Sequence, residues 1–169
     1  MEIPFSVSAR TAKLIGLENF SNPEGAIIEL VKNAYDADSK YCFVLFNQQE
    51  DVPYIYILDF GSGMTAETII NKWMCIGTDD KLYNELSEKG RVKSGAKGIG
   101  RFALNRLGKL SNMWTYTAEG EGHLWNVDWR EFDIPHANVS DIKAHLDTIS
   151  YGQIVTKVKS DNPTHEQQV

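Results

Sequence analysis

Cysteine is scarce in this chain, and with two among 169 residues no disulfide framework can hold it together. Cys42 falls in an apolar, strand-like run and Cys75 at the end of a helix-like one, without CxxC spacing or a nearby histidine. Both are expected as buried, reduced thiols. No apolar stretch approaches the roughly 20 residues of a membrane-spanning helix, so the sequence gives no sign of a spanning segment. The opening Met1-Glu2-Ile3-Pro4-Phe5 lacks the basic region and apolar core of a secretion signal, and the expected compartment is the cytoplasm. Internal repeats and low-complexity tracts are missing as well, which argues against repeat architectures. Net positive charge is absent: the chain carries −6, a balance that argues against a general nucleic-acid surface.

Enough is present for a core. Hydrophobic residues make up 42% of the chain, and the length favours one globular domain. The charge is uneven, because residues 77–109 hold eight Lys and Arg against four Asp and Glu, a local excess of +4. A short basic segment suits a small polyanion better than a long one, since DNA demands phosphate contacts along an extended face. From charge alone a solvated loop is an equal reading.

Val7 to Leu14 predicts a short helix. The next is better marked, with Asn22 as N-cap, Pro23 at the first helical position and Glu24 in the first turn. It should run to about Asp38 and bury Ile27, Leu30, Val31 and Ala34. Tyr41 to Phe46 and Tyr54 to Leu58 predict adjacent strands, and Thr65 is placed to cap a helix carrying Ile69, Ile70 and Trp73. Residues 77–97 keep no period, as a functional loop would. Beyond it the pattern predicts helix over Arg101 to Leu107, strands over Met113 to Thr117 and Leu124 to Trp129, a helix around Ile142 to Leu146 and a final strand over Gln153 to Val158. The order predicts an α+β fold, a two-layer sandwich with helices on one face of a mixed sheet. The domain is expected over residues 1–160, with the polar 161–169 as a flexible tail or linker to more chain.

Three segments carry candidate chemistry. On the capped helix, Glu29, Asn33 and Asp36 fall at i, i+4 and i+7 on one stripe, nearly opposite the apolar one. Any amphipathic helix shows such a face, yet Asn33 sits mid-helix at a cost in propensity. Its carboxamide offers a neutral oxygen to a hard cation such as Mg2+, and Glu29 one turn earlier can orient or deprotonate a water. Asp59 ends a buried-looking strand, where its carboxylate can accept from an adenine amino group, and Gly61 and Gly63 leave room for a flat ring. A plain turn with two glycines fits that stretch equally. Gly95, Gly98 and Gly100 precede a helix and can turn backbone N–H groups toward phosphate, with Lys97 as a point charge. Arg101 can instead cover the helix start. No Gly-Lys-Ser/Thr closes the loop, and no strand leads straight into it, so neither a Walker loop nor a dinucleotide fingerprint is present.

In this order the three segments resemble the GHKL superfamily of ATPases, which comprises DNA gyrase B, the large heat-shock chaperone, histidine kinases and MutL. The resemblance implies a Bergerat-type ATP-binding fold with ATP and Mg2+ as cofactors. It makes Glu29 the hydrolytic base and Asn33 the metal ligand. Asp59 becomes the adenine-binding carboxylate, with Asp36, Gly61, Gly63, Met64, Lys97, Gly98, Ile99, Gly100 and Arg101 around the nucleotide. Trp73 to Lys81 and Lys97 to Ala103 look most like a prokaryotic branch of ATP-binding proteins, in which the domain opens a longer chain. Thr78 and Lys81 are then candidates to reach phosphates, or simply a helix end. Where chaperone-like members carry Gly-Thr on a late strand, this chain has Gly152 followed by Gln153, whose amide would have to replace that hydroxyl.

The resemblance implies slow Mg-dependent ATP hydrolysis coupled to lid closure, to a nucleotide-dependent homodimer or to rearrangement of domains further along the chain. Two alternatives stand beside it. A histidine kinase catalytic domain is disfavoured by Glu29, because kinases of this superfamily carry a neutral residue there. His123, His136, His145 and His165 read as surface or satisfied residues. A pseudo-ATPase that binds nucleotide only as a regulatory ligand is the other, since several members need a second domain to supply a phosphate-contacting lysine.

Overall fold

The computed structural model describes residues 1–20, 22–48, 52–77, 85–94 and 98–161. Helix α1 (Ala9–Asn19) starts at Ser8, whose hydroxyl accepts from the Thr11 N–H, and α2 (Pro23–Asp36) starts as its sequence dictates, with the Asn22 side chain accepting from Gly25. Strands β1 (Cys42–Asn47) and β2 (Tyr54–Asp59) pair antiparallel, placing Cys42 opposite Asp59. Thr65 caps α3 (Ala66–Thr68), which widens directly into a π-turn over Ile69–Trp73. A 3-10 turn (Gly100–Phe102) leads into α4 (Ala103–Leu107). Strands β3 (Leu110–Tyr116), β4 (Gly122–Asp128) and β5 (His145–Thr148) then form an antiparallel meander, and α5 (Tyr151–Asp161) closes the described chain.

The architecture is α+β, as the element order predicts. Among the described residues, however, the strands form two antiparallel sheets rather than one mixed sheet. The two meet where β2 ends: Tyr56 stacks on Trp114 at 6.0 Å, and the Met64 N–H donates to the Thr115 hydroxyl at 2.8 Å. The core lies between α1, α2 and α4 and the meander. Phe102 is 1% exposed and packs against Trp129 and Phe132, and Gly16 of α1 approaches it so closely that a Cβ there would lie 2.3 Å from the Phe102 Cβ. Such close packing of helix on ring is open only to glycine.

Several local expectations are corrected. The Gln153 to Val158 stretch is helix, not strand. Gln153 Oε1 accepts from the Ser150 N–H at 2.8 Å while the Gln153 N–H reaches the Ser150 hydroxyl at 3.3 Å, a reciprocal cap that starts α5. The far end of α5 is fastened to β1 and β2, since the Asp161 carbonyl accepts from Asn47 and Tyr54. The helix expected around Ile142 to Leu146 is replaced by a 3-10 turn (Val139–Asp141) and β5, which supplies hydrogen-bond partners to the free edge of β4. On α2 the buried residues are Ala26 and Ala34, with Leu30 packed beside them, while Val31 is 37% exposed. The small residues, not Val31, are the ones this helix buries. Neither thiol is fully buried. Cys42 is half-buried, and its thiol is pushed up by burial and then by Asp59 opposite, whereas Cys75 is exposed. The wide π-turn, closed by the Met74 N–H on the Ile69 carbonyl at 2.8 Å, shifts the helical phase and leaves Cys75 outside.

Candidate functional site

Turning α2 brings its polar stripe to the margin of the buried face. Glu29 and Asn33 are both half-buried there, and Gly100 lies against them: a Cβ on Gly100 would sit 3.3 Å from Glu29 Oε1 and 3.7 Å from Asn33 Nδ2. With glycine at 100, the loop lies directly against the helix carboxylate and carboxamide. Among the described residues the Asn33 carboxamide makes no hydrogen bond to protein, so its mid-helix cost has no structural return. Among the described residues Glu29 has one charged neighbour, Lys32 Nζ at 3.7 Å from Oε2.

The second motif arrives at the end of the same helix. The exposed Asp59 accepts from the Gly61 N–H at 2.8 Å through Oδ1. A Cβ on Gly61 would lie 2.6 Å from the Ala37 Cβ and 2.9 Å from Asp59 Oδ1, and the Ser62 N–H bonds the Ala37 carbonyl at 2.9 Å. The glycine thus seats the strand end one turn beyond Asn33. Gly63 has φ +73 and presses on β3, with its Cβ position 2.2 Å from the Tyr116 oxygen. Its role is a backbone contact, in addition to any room it leaves for a ring. Met64 packs on the core beside it.

Two acidic groups at the α2 end hold a strap, residues 85–94. Asp36 accepts from the Ser94 N–H at 2.9 Å. Asp38, which sequence reasoning passed over, is buried at φ +63 and accepts from the Ser87 hydroxyl at 2.7 Å and the Lys89 N–H at 3.0 Å. Its carboxyl is held below the usual range, chiefly by Ser87, with burial opposing and Lys89 and Arg91 assisting. Arg91 lies over the Tyr35 ring at 4.8 Å and donates to the Tyr35 and Ser39 carbonyls. A non-glycine residue with positive φ was the available signal, and spacing does not display it.

The glycine loop is described from Gly98, at φ +62, whose carbonyl accepts from the Gly77 N–H at 3.3 Å. Ile99 packs on the core. Arg101 does not cover the outside of the helix start: it is 8% exposed, and its Nη2 donates to the Lys72 and Gly98 carbonyls at 3.3 and 3.0 Å. Burial lowers its pKa to about 10, so it stays cationic at neutral pH. Gln153, engaged with Ser150, lies in the first turn of α5. Thr78, Lys81, Gly95 and Lys97 lie outside the described residues.

These residues suit a magnesium nucleotide. No group of three or more His, Cys, Asp or Glu that could hold a metal occurs among the described residues. The Asn33 amide, without a protein partner among the described residues, offers a neutral oxygen of the kind a hard cation takes, and Gly100 supplies a wall without a side chain. Among the described residues no helix is long and apolar enough to cross a membrane.

Comparison with known proteins identifies the family. Residues 20–162 match the model of the family described as histidine kinase-, DNA gyrase B-, and HSP90-like ATPase. The chain is also 30% identical over 114 residues to a Herpetosiphon aurantiacus protein named "Putative type II restriction enzyme HgiDII", an alignment covering 68% of this chain and 18% of that protein. With the match running from the start of α2 to the end of α5, this chain belongs to the histidine kinase-, DNA gyrase B-, and HSP90-like ATPase family.

Proposed function

We propose that the domain binds Mg-ATP and hydrolyses its γ-phosphate slowly, and that nucleotide state is passed on through α2 to the strap. The observation that carries this reading is the meeting of Glu29, Asn33 and Gly100 at one point of the fold. Asn33 would hold Mg2+ through its amide oxygen. When bound, the ion supplies charge neutralisation of the phosphates. Glu29 takes the proton of a water whose oxygen attacks the γ-phosphorus, while the bond to the β–γ bridging oxygen breaks and ADP leaves with its electron pair. Asp59 keeps Oδ2 without a protein donor among the described residues, so it can accept from the adenine amino group.

Asp36 and Asp38 connect the site to movement, because they grip residues 85–94 from the last residue of the helix that carries Glu29 and Asn33 and from the turn just after it. A shift of α2 on nucleotide binding would load or release that grip, which gives lid closure and rearrangement of a dimer or of attached domains a physical route. The relative's name supports DNA as the target of the work in the whole protein.

Glu29→Ala and Asn33→Ala separate the roles. The first should keep Mg-ATP affinity and lose about 10²- to 10⁴-fold in phosphate release, the range of a general base. The second should lose the magnesium dependence of binding. Equal loss of binding in both would reject the assignment, and acid-labile label on protein in place of free phosphate would favour a histidine kinase.

A further inference from the structure

Arg101 is a cation held inside the fold. It is 8% exposed, and taking a guanidinium out of water is costly, so the contacts it makes there call for a reason. Its Nη2 donates to the Lys72 carbonyl at 3.3 Å and to the Gly98 carbonyl at 3.0 Å. Lys72 stands in the last turn of the π-turn, where carbonyls have run out of N–H donors within the turn itself. The guanidinium also lies 5.6 Å from the centre of the Trp73 ring, within range of a cation–π contact. One side chain thus ties the segment that precedes the basic stretch 77–97 to the glycine loop that follows it, and the Gly77 N–H on the Gly98 carbonyl at 3.3 Å closes the same junction.

Because the Gly98 carbonyl takes both donors, its direction is fixed, and the next N–H is fixed with it. The Gly98–Ile99 peptide is trans, and in a planar trans peptide the carbonyl and the following N–H point in opposite directions. The Ile99 N–H is therefore directed away from Arg101 and Gly77. The Ile99 side chain is anchored on the core, and the residue after it, Gly100, lies against Glu29 and Asn33. A backbone donor whose orientation is set in advance by a charge-assisted bond on its own peptide loses little freedom when it meets an anion.

On the Mg-ATP reading, we infer that Arg101 is a positioning residue for phosphate: from inside the fold it holds the Gly98 carbonyl, so that the loop shows the Ile99 N–H to the phosphates of the nucleotide. Adenosine, which has the base but no phosphate, separates this role from a merely structural one. The full-length protein and its Arg101→Met and Arg101→Lys variants are titrated calorimetrically with Mg-ATP and with adenosine. Arg101→Met should bind adenosine within about threefold of wild type while its Mg-ATP affinity falls about tenfold to 100-fold, the effect of one charge-assisted hydrogen bond. Arg101→Lys keeps the charge on a shorter stem with a different donor geometry, so its Mg-ATP affinity should lie between the two, at least threefold below wild type; it decides the matter if the methionine variant does not fold. Equal losses for Mg-ATP and adenosine, or Mg-ATP affinity equal to wild type in either folded variant, would overturn the assignment and leave the Mg-ATP reading standing. A wild-type protein that binds neither ligand would overturn both.

Discussion

Gly63 offers the sharpest test of how the two sheets are joined, because two other glycines share its conformation but not its surroundings. Gly63, Gly77 and Gly90 have φ of +73, +75 and +80. A Cβ at Gly77 or Gly90 would meet nothing within 4 Å among the described residues, whereas at Gly63 it would lie 2.2 Å from the Tyr116 oxygen and 2.7 Å from its carbonyl carbon. Gly90→Ala should therefore show only the left-handed penalty of an L residue, about 1 to 2 kcal/mol. In Gly63→Ala the same penalty is joined by a backbone that must retreat. That retreat pulls Met64 from the buried Thr115 hydroxyl, a hydrogen bond of 2.8 Å. Losing it adds about 1 kcal/mol and the displaced packing at least as much, for a total of about 3 kcal/mol or more. Urea unfolding reads this directly. With a slope of about 2 kcal/mol per molar, the Gly63→Ala midpoint should fall by well over 1 M and that of Gly90→Ala by about half as much. Midpoints that agree within about 0.3 M would refute the seam between β2 and β3.

Two further outcomes follow from the same geometry. Gly100→Ala should fold, because its nearest neighbour is the flexible end of Glu29 at 3.3 Å, yet phosphate release should drop by about tenfold to 10²-fold as that carboxylate shifts; single-turnover assays would expose an unchanged rate. The Asp38 carboxyl is held below the usual carboxylate range, chiefly by the Ser87 hydroxyl, so the stability it contributes is complete above the unfolded carboxyl's ordinary pKa and is lost as pH falls through the lowered folded value. Proteolysis within residues 85–94 should accelerate as pH is lowered below about 4, and Asp38→Asn should be cut rapidly at every pH; a cleavage rate flat with pH in the wild type would contradict the clamp.

The legible parts of the fold were those with local chemistry. Asn22 and Pro23 announced α2, and the β-branched and aromatic runs announced β1 and β2 with Asp59 at the strand end. Features that depend on distant packing were not readable. Val31 matches Leu30 in hydrophobicity, but α2 buries the small Ala26 and Ala34 and leaves Val31 exposed. Gln153 to Val158 has a strand-like composition, yet the Ser150–Gln153 cap was present in the sequence and outweighs it. For the site, spacing aligns Glu29 with Asn33, while the approach of Gly100 arises only from the tertiary fold. Arg101 reads as a surface cation because arginine seldom occupies a core, and its inward turn follows from the carbonyls of Lys72 and Gly98.

A crystal structure of the protein with Mg2+ and a non-hydrolysable ATP analogue tests the central claim most directly. The expected result is the Asn33 amide oxygen in the metal shell, Glu29 within hydrogen-bond reach of a water in line with the γ-phosphorus, and Asp59 accepting from the adenine amino group. A nucleotide seated away from Gly98 and Gly100, or an Asp59 carboxylate turned from the base, would contradict it.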